Sequence, residues 1–165
     1  MSIVVENSTV LSALTEKFAE VFGDTKEVEY FFSPGRINLI GEHTDYNGGY
    51  VFPASITIGT TGLARLREDK KVKLYSENFP KLGVIEFDLD EVEKKDGELW
   101  SNYVKGMMVM LKGAGYEIDK GFELLIKGEI PTASGLSSSA SLELLVGVVL
   151  DDLFNLNVPR LELVQ

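Results

Sequence analysis

Two stretches of this 165-residue chain hold residue types that can do chemistry. The first is Pro131–Ser141, PTASGLSSSAS, which runs straight into the apolar helical pattern LELLVGVVLDDL. A helix N-terminus offers unpaired backbone N–H groups and a partial positive charge, so it attracts anions. Gly135 lets the backbone approach a ligand closely, with no bulky side chain around it. Ser137, Ser138 and Ser139 add hydroxyls able to bond phosphate oxygens or to face a magnesium ion. The stretch reads as a phosphate cradle. The plainer alternative is a serine that caps a helix binding nothing.

The second stretch is GRINLIGEHTDYNGGYVFPASI, residues 35–56. Its middle brings Glu42, His43, Thr44 and Asp45 together in a polar, turn-rich segment. Carboxylates accept from sugar hydroxyls and an imidazole can donate or accept, so the cluster suits a polyol. A solvated loop in which Asp45 only caps the turn is the competing reading. Arg36 follows a Pro-Gly pair at the end of a strand, where a guanidinium could clamp a phosphoryl group or serve as an ordinary surface ion pair. Trp100 and Tyr103 share a helical face with Met107; they can stack on a base or belong to the core. No G-x-x-x-x-G-K-[ST] and no G-x-G-x-x-G occurs, so any nucleotide cradle must be the Pro131–Ser141 type.

The elements that must position these groups follow from periodicity. Leu11, Leu14, Phe18, Val21 and Phe22 predict a helix that Ser8 can cap and Gly23 ends. Val28–Phe32 predicts a strand broken by Pro34-Gly35. Asn47-Gly48 is a tight-turn signal, since both residues tolerate positive φ. Strands are expected over 57–67, 72–75, 84–87 and 122–126, with Lys70-Lys71 as a solvated hairpin between the first two. Asp88–Glu98 reads as exposed charged surface. Trp100, Tyr103, Val104, Met107, Met108 and Leu111 predict a helix, and so do Leu142, Leu145, Val146, Val149, Leu150 and Leu153. Pro159 suits the first turn of a further helix. Interspersed strands and helices predict an α+β architecture, a mixed β-sheet packed with helices.

Bulk properties exclude several classes. The chain is long enough for one domain with a core, and 44% hydrophobic with 25% charged residues is ordinary for a globular protein. A net charge of −10 argues against a nucleic-acid surface, although a local cradle of N–H groups can hold ATP on an acidic protein. With no cysteine and one histidine, disulfides, thiolate sites and multi-histidine metal clusters are excluded. The N-terminus lacks a signal-peptide pattern and no apolar run is long enough to span a bilayer, so the expectation is a cytoplasmic protein without membrane partners.

Together the two stretches carry a resemblance. GRINLIGEHTDYNGG closely resembles the signature of the galactokinase family, found near that family's N-terminus. PTASGLSSSAS resembles the phosphate-binding motif of the wider GHMP kinase superfamily, which also includes homoserine, mevalonate and phosphomevalonate kinases. The second motif alone specifies the superfamily; the first is far more specific, and their order and separation agree. The resemblance implies that residues 1–165 form the N-terminal domain of the GHMP kinase fold, with a sugar-recognition signature over 35–56 and an ATP phosphate-binding loop over 131–141. It implies ATP-dependent phosphorylation of the C1 hydroxyl of α-D-galactose, the first committed step of galactose breakdown by the Leloir pathway.

Position by position, the resemblance implies that Arg36 stabilises the charge of the transferring phosphate. Glu42, His43 and Asp45 would bond galactose hydroxyls, with Thr44 in the same segment. Ala133, Ser134, Gly135, Leu136, Ser137, Ser138 and Ser139 would wrap the ATP phosphates, with Ser139 near Mg²⁺. Ser76, Trp100 and Tyr103 match positions that flank the nucleotide base in relatives. The loop departs from the family at Ala133, where a glycine is usual. The family's catalytic aspartate, a magnesium-binding glutamate and the C-terminal glycine-rich motif lie beyond Gln165. The chain is therefore expected to hold half of a site and to have no appreciable kinase activity alone. A monomer with only small-molecule partners, galactose and ATP, is expected. Rival readings are a kinase for N-acetylgalactosamine or arabinose, and a non-catalytic galactose- and ATP-binding inducer of transcription; the intact Ser137-Ser138-Ser139-Ala140 run favours the enzyme over the inducer.

Overall fold

A computed structural model describes residues 8–41, 43–44, 47–97, 100–131 and 136–164. The period-2 and period-3.6 patterns resolve into eight elements: α1 (Ser8–Phe22), β1 (Glu29–Ile40), β2 (Phe52–Leu66), β3 (Lys71–Ser76), β4 (Ile85–Asp88), α2 (Ser101–Gly113), β5 (Phe122–Gly128) and α3 (Ser138–Leu153). The five strands form one mixed sheet in the order β1-β2-β5-β3-β4. Only β3 and β5 run parallel.

Successive residues of a strand point to opposite faces, and here both faces are covered. Leu63, Tyr75 and Leu125 meet Leu14 and Phe18 of α1 on one side. Their strand neighbours Ala64, Leu74 and Leu124 face α2 and α3, which contribute Val104, Met108, Leu145, Val149 and Leu150 to the larger core. The result is the expected α+β architecture, with one helix below the sheet and two above.

Several expectations meet a different outcome. Pro34-Gly35 does not break the first strand, because β1 lies at the sheet edge, where a residue without N–H is tolerated. The pair instead marks a register shift: only Gly35 separates Pro34 from Arg36, whereas Ile56, Thr57 and Ile58 separate their partners Gly59 and Ser55. The second strand starts at Phe52 rather than at 57. Lys70-Lys71 is not a hairpin turn, since β5 lies between β2 and β3. After Pro159 the described residues form one helical turn, Glu162–Val164, with the Glu162 and Leu163 N–H groups donating to the Pro159 carbonyl. In Asn47-Gly48 only Gly48 takes positive φ. The charged 88–97 segment is exposed as expected, yet Leu89 is buried and Val92 packs on the core.

The insertion of β5 creates an ion cluster at one end of the sheet. Glu123, 2% exposed, stands opposite Arg65 on β2 and Lys73 on β3. Its two carboxylate oxygens accept from Arg65 Nε at 2.7 Å and from Arg67. Arg65 also pairs with Asp24, beyond α1, and Arg67 with Asp69 at 2.6 Å. Gly121 is needed at the entrance to β5, where a Cβ would lie 2.1 Å from the Lys71 carbonyl oxygen. No helix among the described residues is long and apolar enough to cross a membrane.

Candidate active site

The opposite end of the sheet joins the two chemically suggestive stretches. The backbone N–H of Arg36 donates to the carbonyl of Leu136 at 3.2 Å. Gly35 permits this approach: a Cβ there would lie 2.9 Å from Ile130 Cδ1 and 3.0 Å from the Leu136 oxygen. Arg36, Ser137, Ala140 and Ser141 line one cleft of about 300 Å³, floored by Ala54 and Ser55 of β2. Among the described residues no carboxylate pairs with the Arg36 side chain. A guanidinium in a cleft beside a helix start, with no internal counter-ion described, leaves its charge available to an anion.

The start of α3 departs from ordinary capping. Ser137 occupies the N-cap position with φ 61° and ψ 45°, and its side chain makes no cap hydrogen bond. A capping serine normally sits in the extended region and accepts from the N–H two or three residues on. Left-handed backbone at a residue with a Cβ costs free energy and persists where the surrounding structure over-determines it. The simple capping reading of this serine therefore does not hold. Ser138 and Ser139 are exposed at the same turn, with Tyr103 OH 3.3 Å from Ser139 Oγ.

A second cleft, about 220 Å³, lies on the other side of that turn and is lined by Ser76, Asn78, Trp100, Tyr103, Ser138 and Ser139 among others. The three positions matched only by their distance along the chain, Ser76, Trp100 and Tyr103, thus come together. Trp100 is 5% exposed and belongs to the core. Its Nε1–H is also the buried side-chain donor left without a partner among the described residues. An orphaned buried N–H costs about 1–3 kcal/mol and is rare in a folded core. Tyr103, at 36% exposure, lies half open to the same space.

The sugar-signature loop is described only in part. Thr44 closes it: its hydroxyl meets the carbonyls of Gly41 at 2.6 Å and Tyr50 at 3.1 Å, and its own carbonyl accepts from Gly49 N–H at 2.7 Å. His43 adopts φ 62°, and its carbonyl accepts from Asn47 Nδ2 at 2.8 Å. Glu42 and Asp45, and Ala133, Ser134 and Gly135 of the phosphate loop, lie outside the described residues. Leu136 is placed by its bond to Arg36.

Asn78 and Thr60 escaped the sequence reading, and Ser141 was read only as the end of the phosphate loop. Asn78 continues the β3–β5 ladder with its side chain, Nδ2 donating to Gly128 O at 2.8 Å and Oδ1 accepting from Gly128 N–H at 2.7 Å. Thr60 and Ser141 share a buried hydrogen bond of 3.0 Å. Ser141 had a readable signal, a hydroxyl four residues before Leu145 on the core-facing stripe; Asn78 and Thr60 had none.

Comparison with known proteins finds two matched segments in the chain. The galactokinase galactose-binding signature matches residues 16–66, and the GHMP kinases N terminal domain matches residues 102–165. The chain is 99% identical over its full length to a galactokinase of Lactococcus lactis subsp. lactis (strain IL1403), covering 41% of that protein. Over its matched residues the chain is similar to galactokinases and to the GHMP kinases N terminal domain. A galactokinase of Ligilactobacillus salivarius (strain UCC118) is 55% identical over 152 residues, 92% of this chain and 39% of that protein. The chain thus spans about two fifths of the length of these curated relatives.

Among solved structures, Lactococcus lactis galactokinase complexed with galactose superposes with a TM-score of 0.91 at 99% identity, over 94% of this chain and 40% of that one. Methanococcus jannaschii mevalonate kinase shares the fold at 20% identity, with a TM-score of 0.67 over 82% of this chain and 43% of that one. Of the site, Arg36, His43 and Thr44 fall in the first matched segment, and Tyr103 and Leu136–Ser139 in the second. Ser76 and Trp100 fall between them.

Proposed function

We propose that this segment supplies the sugar- and phosphate-binding half of a galactokinase, a protein that transfers the γ-phosphoryl group of ATP to the C1 hydroxyl of α-D-galactose. One observation carries the reading: the Arg36–Leu136 backbone bond ties the galactokinase signature to the end of the phosphate loop. Similarity to galactokinases, one of them solved with galactose, supports the substrate pair.

In this reading the N–H groups at the start of α3 and the Ser137–Ser139 hydroxyls receive phosphate oxygens. Arg36 neutralises charge on the transferring group; positioning and electrostatics are what phosphoryl transfer chiefly asks of a protein. Ala133, Ser134, Gly135 and Leu136 complete the loop. Glu42, His43 and Asp45 orient the sugar hydroxyls, and Thr44 holds their loop closed. Ser76, Trp100 and Tyr103 enclose the base.

Mg²⁺ fits here only with phosphate oxygens and water as most of its ligands. Among the described residues no three His, Cys, Asp or Glu side chains gather to hold a metal, so Ser139 Oγ would be its ligand from this segment. When bound, the ion would supply positive charge to the phosphates. A full-length protein carrying this segment acts as a monomer in the cytoplasm in this reading, with no macromolecular partner needed for turnover.

The test uses a full-length galactokinase carrying this segment. ADP release should depend on galactose and fall steeply with N-acetylgalactosamine or arabinose in its place. Equal turnover of either rival sugar, or tight galactose binding without turnover, would replace the proposal with a rival kinase or an inducer.

A further inference from the structure

We propose that Thr60 and Ser141 are positioning residues: their buried hydroxyl chain to the Ser33 carbonyl sets where the first turn of α3 stands relative to Arg36. This rests on the kinase reading above. Ser141 Oγ donates to Ser33 O at 2.8 Å and lies 3.0 Å from Thr60 Oγ1. A hydroxyl has one proton, and Ser141 gives its proton to Ser33, so Thr60 must donate to Ser141. The direction of the chain is fixed: Thr60 to Ser141 to Ser33.

The three residues are 4%, 1% and 5% exposed and come from β2, α3 and β1. Ser141 lines the Arg36 cleft and Thr60 lines the aromatic cleft, so their bond lies in the wall between the two. Ser33 stands three residues before Arg36. Its carbonyl is also confined from β2, where a Cβ on Gly59 would lie 2.1 Å away. The Gly59 carbonyl in turn accepts from Glu129 N–H at 2.9 Å, two residues before the phosphate loop begins at Pro131. Helix, edge strand and loop entrance therefore meet at one point.

Apolar packing alone would hold α3 on the sheet, as Leu145, Val149 and Leu150 do further along. Such contacts are non-directional and tolerate small slides. A hydrogen bond has a narrow range of length and angle, and a buried hydroxyl that loses its partner is costly. A hydroxyl chain at the first turn thus fixes register where the chemistry needs it. An error of about 1 Å in such a geometry can cost about a hundredfold in rate.

The test compares Thr60→Val, which keeps the shape and removes the hydroxyl, with Thr60→Ser, which keeps the hydroxyl. Ser141→Ala breaks the chain independently. All are made in a full-length galactokinase carrying this segment and assayed well below each variant's Tm. Thr60→Val and Ser141→Ala should lower kcat about tenfold or more, with the KM for galactose within about twofold, whereas Thr60→Ser should keep most of the rate. Folded Thr60→Val and Ser141→Ala with the kcat of Thr60→Ser would overturn the proposal. So would an unchanged kcat with a raised galactose KM. Failure of both hydroxyl-free variants to fold would also overturn it, because the chain would then be a folding requirement. An inactive parent protein would instead sink the kinase reading, and this inference with it.

Discussion

Strand β2 connects two polar regions that handle charge in opposite ways. At its C-terminal end, Arg65 and Arg67 close on the buried Glu123, and their remaining donors reach Asp24 and Asp69. Charge there is satisfied internally. At its N-terminal end, Ser55 and Thr60 border clefts where Arg36 has no carboxylate among the described residues, Ser137 leaves its helix uncapped, and the Trp100 indole N–H has no described partner. The first region contributes to holding the fold and the second is left open to a ligand. Stability and function are separated along one strand, so substitutions at each end should give different readouts.

The sharpest test of that separation is Glu123→Ala. It leaves two guanidinium groups, 14% and 23% exposed, without their shared carboxylate. Breaking a buried pair this way costs about 3–5 kcal/mol. Urea unfolding of a full-length protein should show the loss, while kcat of the folded fraction stays near wild type. Next, Arg36→Ala should lower kcat by about 10²–10³, the scale for losing one preorganised charge stabiliser, with an unfolding midpoint close to wild type. If Arg36→Ala instead destabilised the protein without slowing it, the contrast between the two ends would fail.

Gly35→Ala should give a mixed effect, because the new methyl meets both Ile130 and the Leu136 carbonyl. A stability loss of about 1–3 kcal/mol is expected from overpacking, together with a higher KM for ATP in steady-state kinetics. The smallest effect is an acid one. The Arg67 guanidinium, with help from the Lys71 N–H and against the cost of desolvation, holds the Asp69 carboxyl at about 2 instead of 3.8. A lowered carboxylate value stabilises the fold above pH 3.8 and loses that contribution as pH falls towards 2. Asp69 is 46% exposed, so solvent screening makes the contribution small. The difference in urea midpoint between wild type and Asp69→Asn should shrink over that window and vanish below it.

The helices and the central strands could be read from sequence, because Leu14–Phe18, Val104–Met108 and Leu145–Val149 repeat at the period their burial demands. The site was read through two dense local motifs whose chemistry needs neighbouring residues. What sequence did not show was long-range. Pro34-Gly35 is punctuation in isolation and became a register shift only because β1 is an edge. The pairing of Lys73 with Glu123 skips most of the intervening chain, which no local pattern signals. Thr60, Asn78 and Ser141 are ordinary polar residues until tertiary structure gives them partners.

The placement of β5 also governs the order in which the domain can assemble. The β1–β2 and β3–β4 pairs each join neighbours in sequence, so each can form as soon as its own residues are available. Neither pair touches the other until residues 122–128 arrive to join them. At roughly 5–20 residues per second on a ribosome, the stretch from Asp88, the end of β4, to Phe122 takes on the order of 2–7 s to make. During that interval the nascent chain carries two separate ribbons with unpaired inner edges, and a holdase chaperone would find its target there.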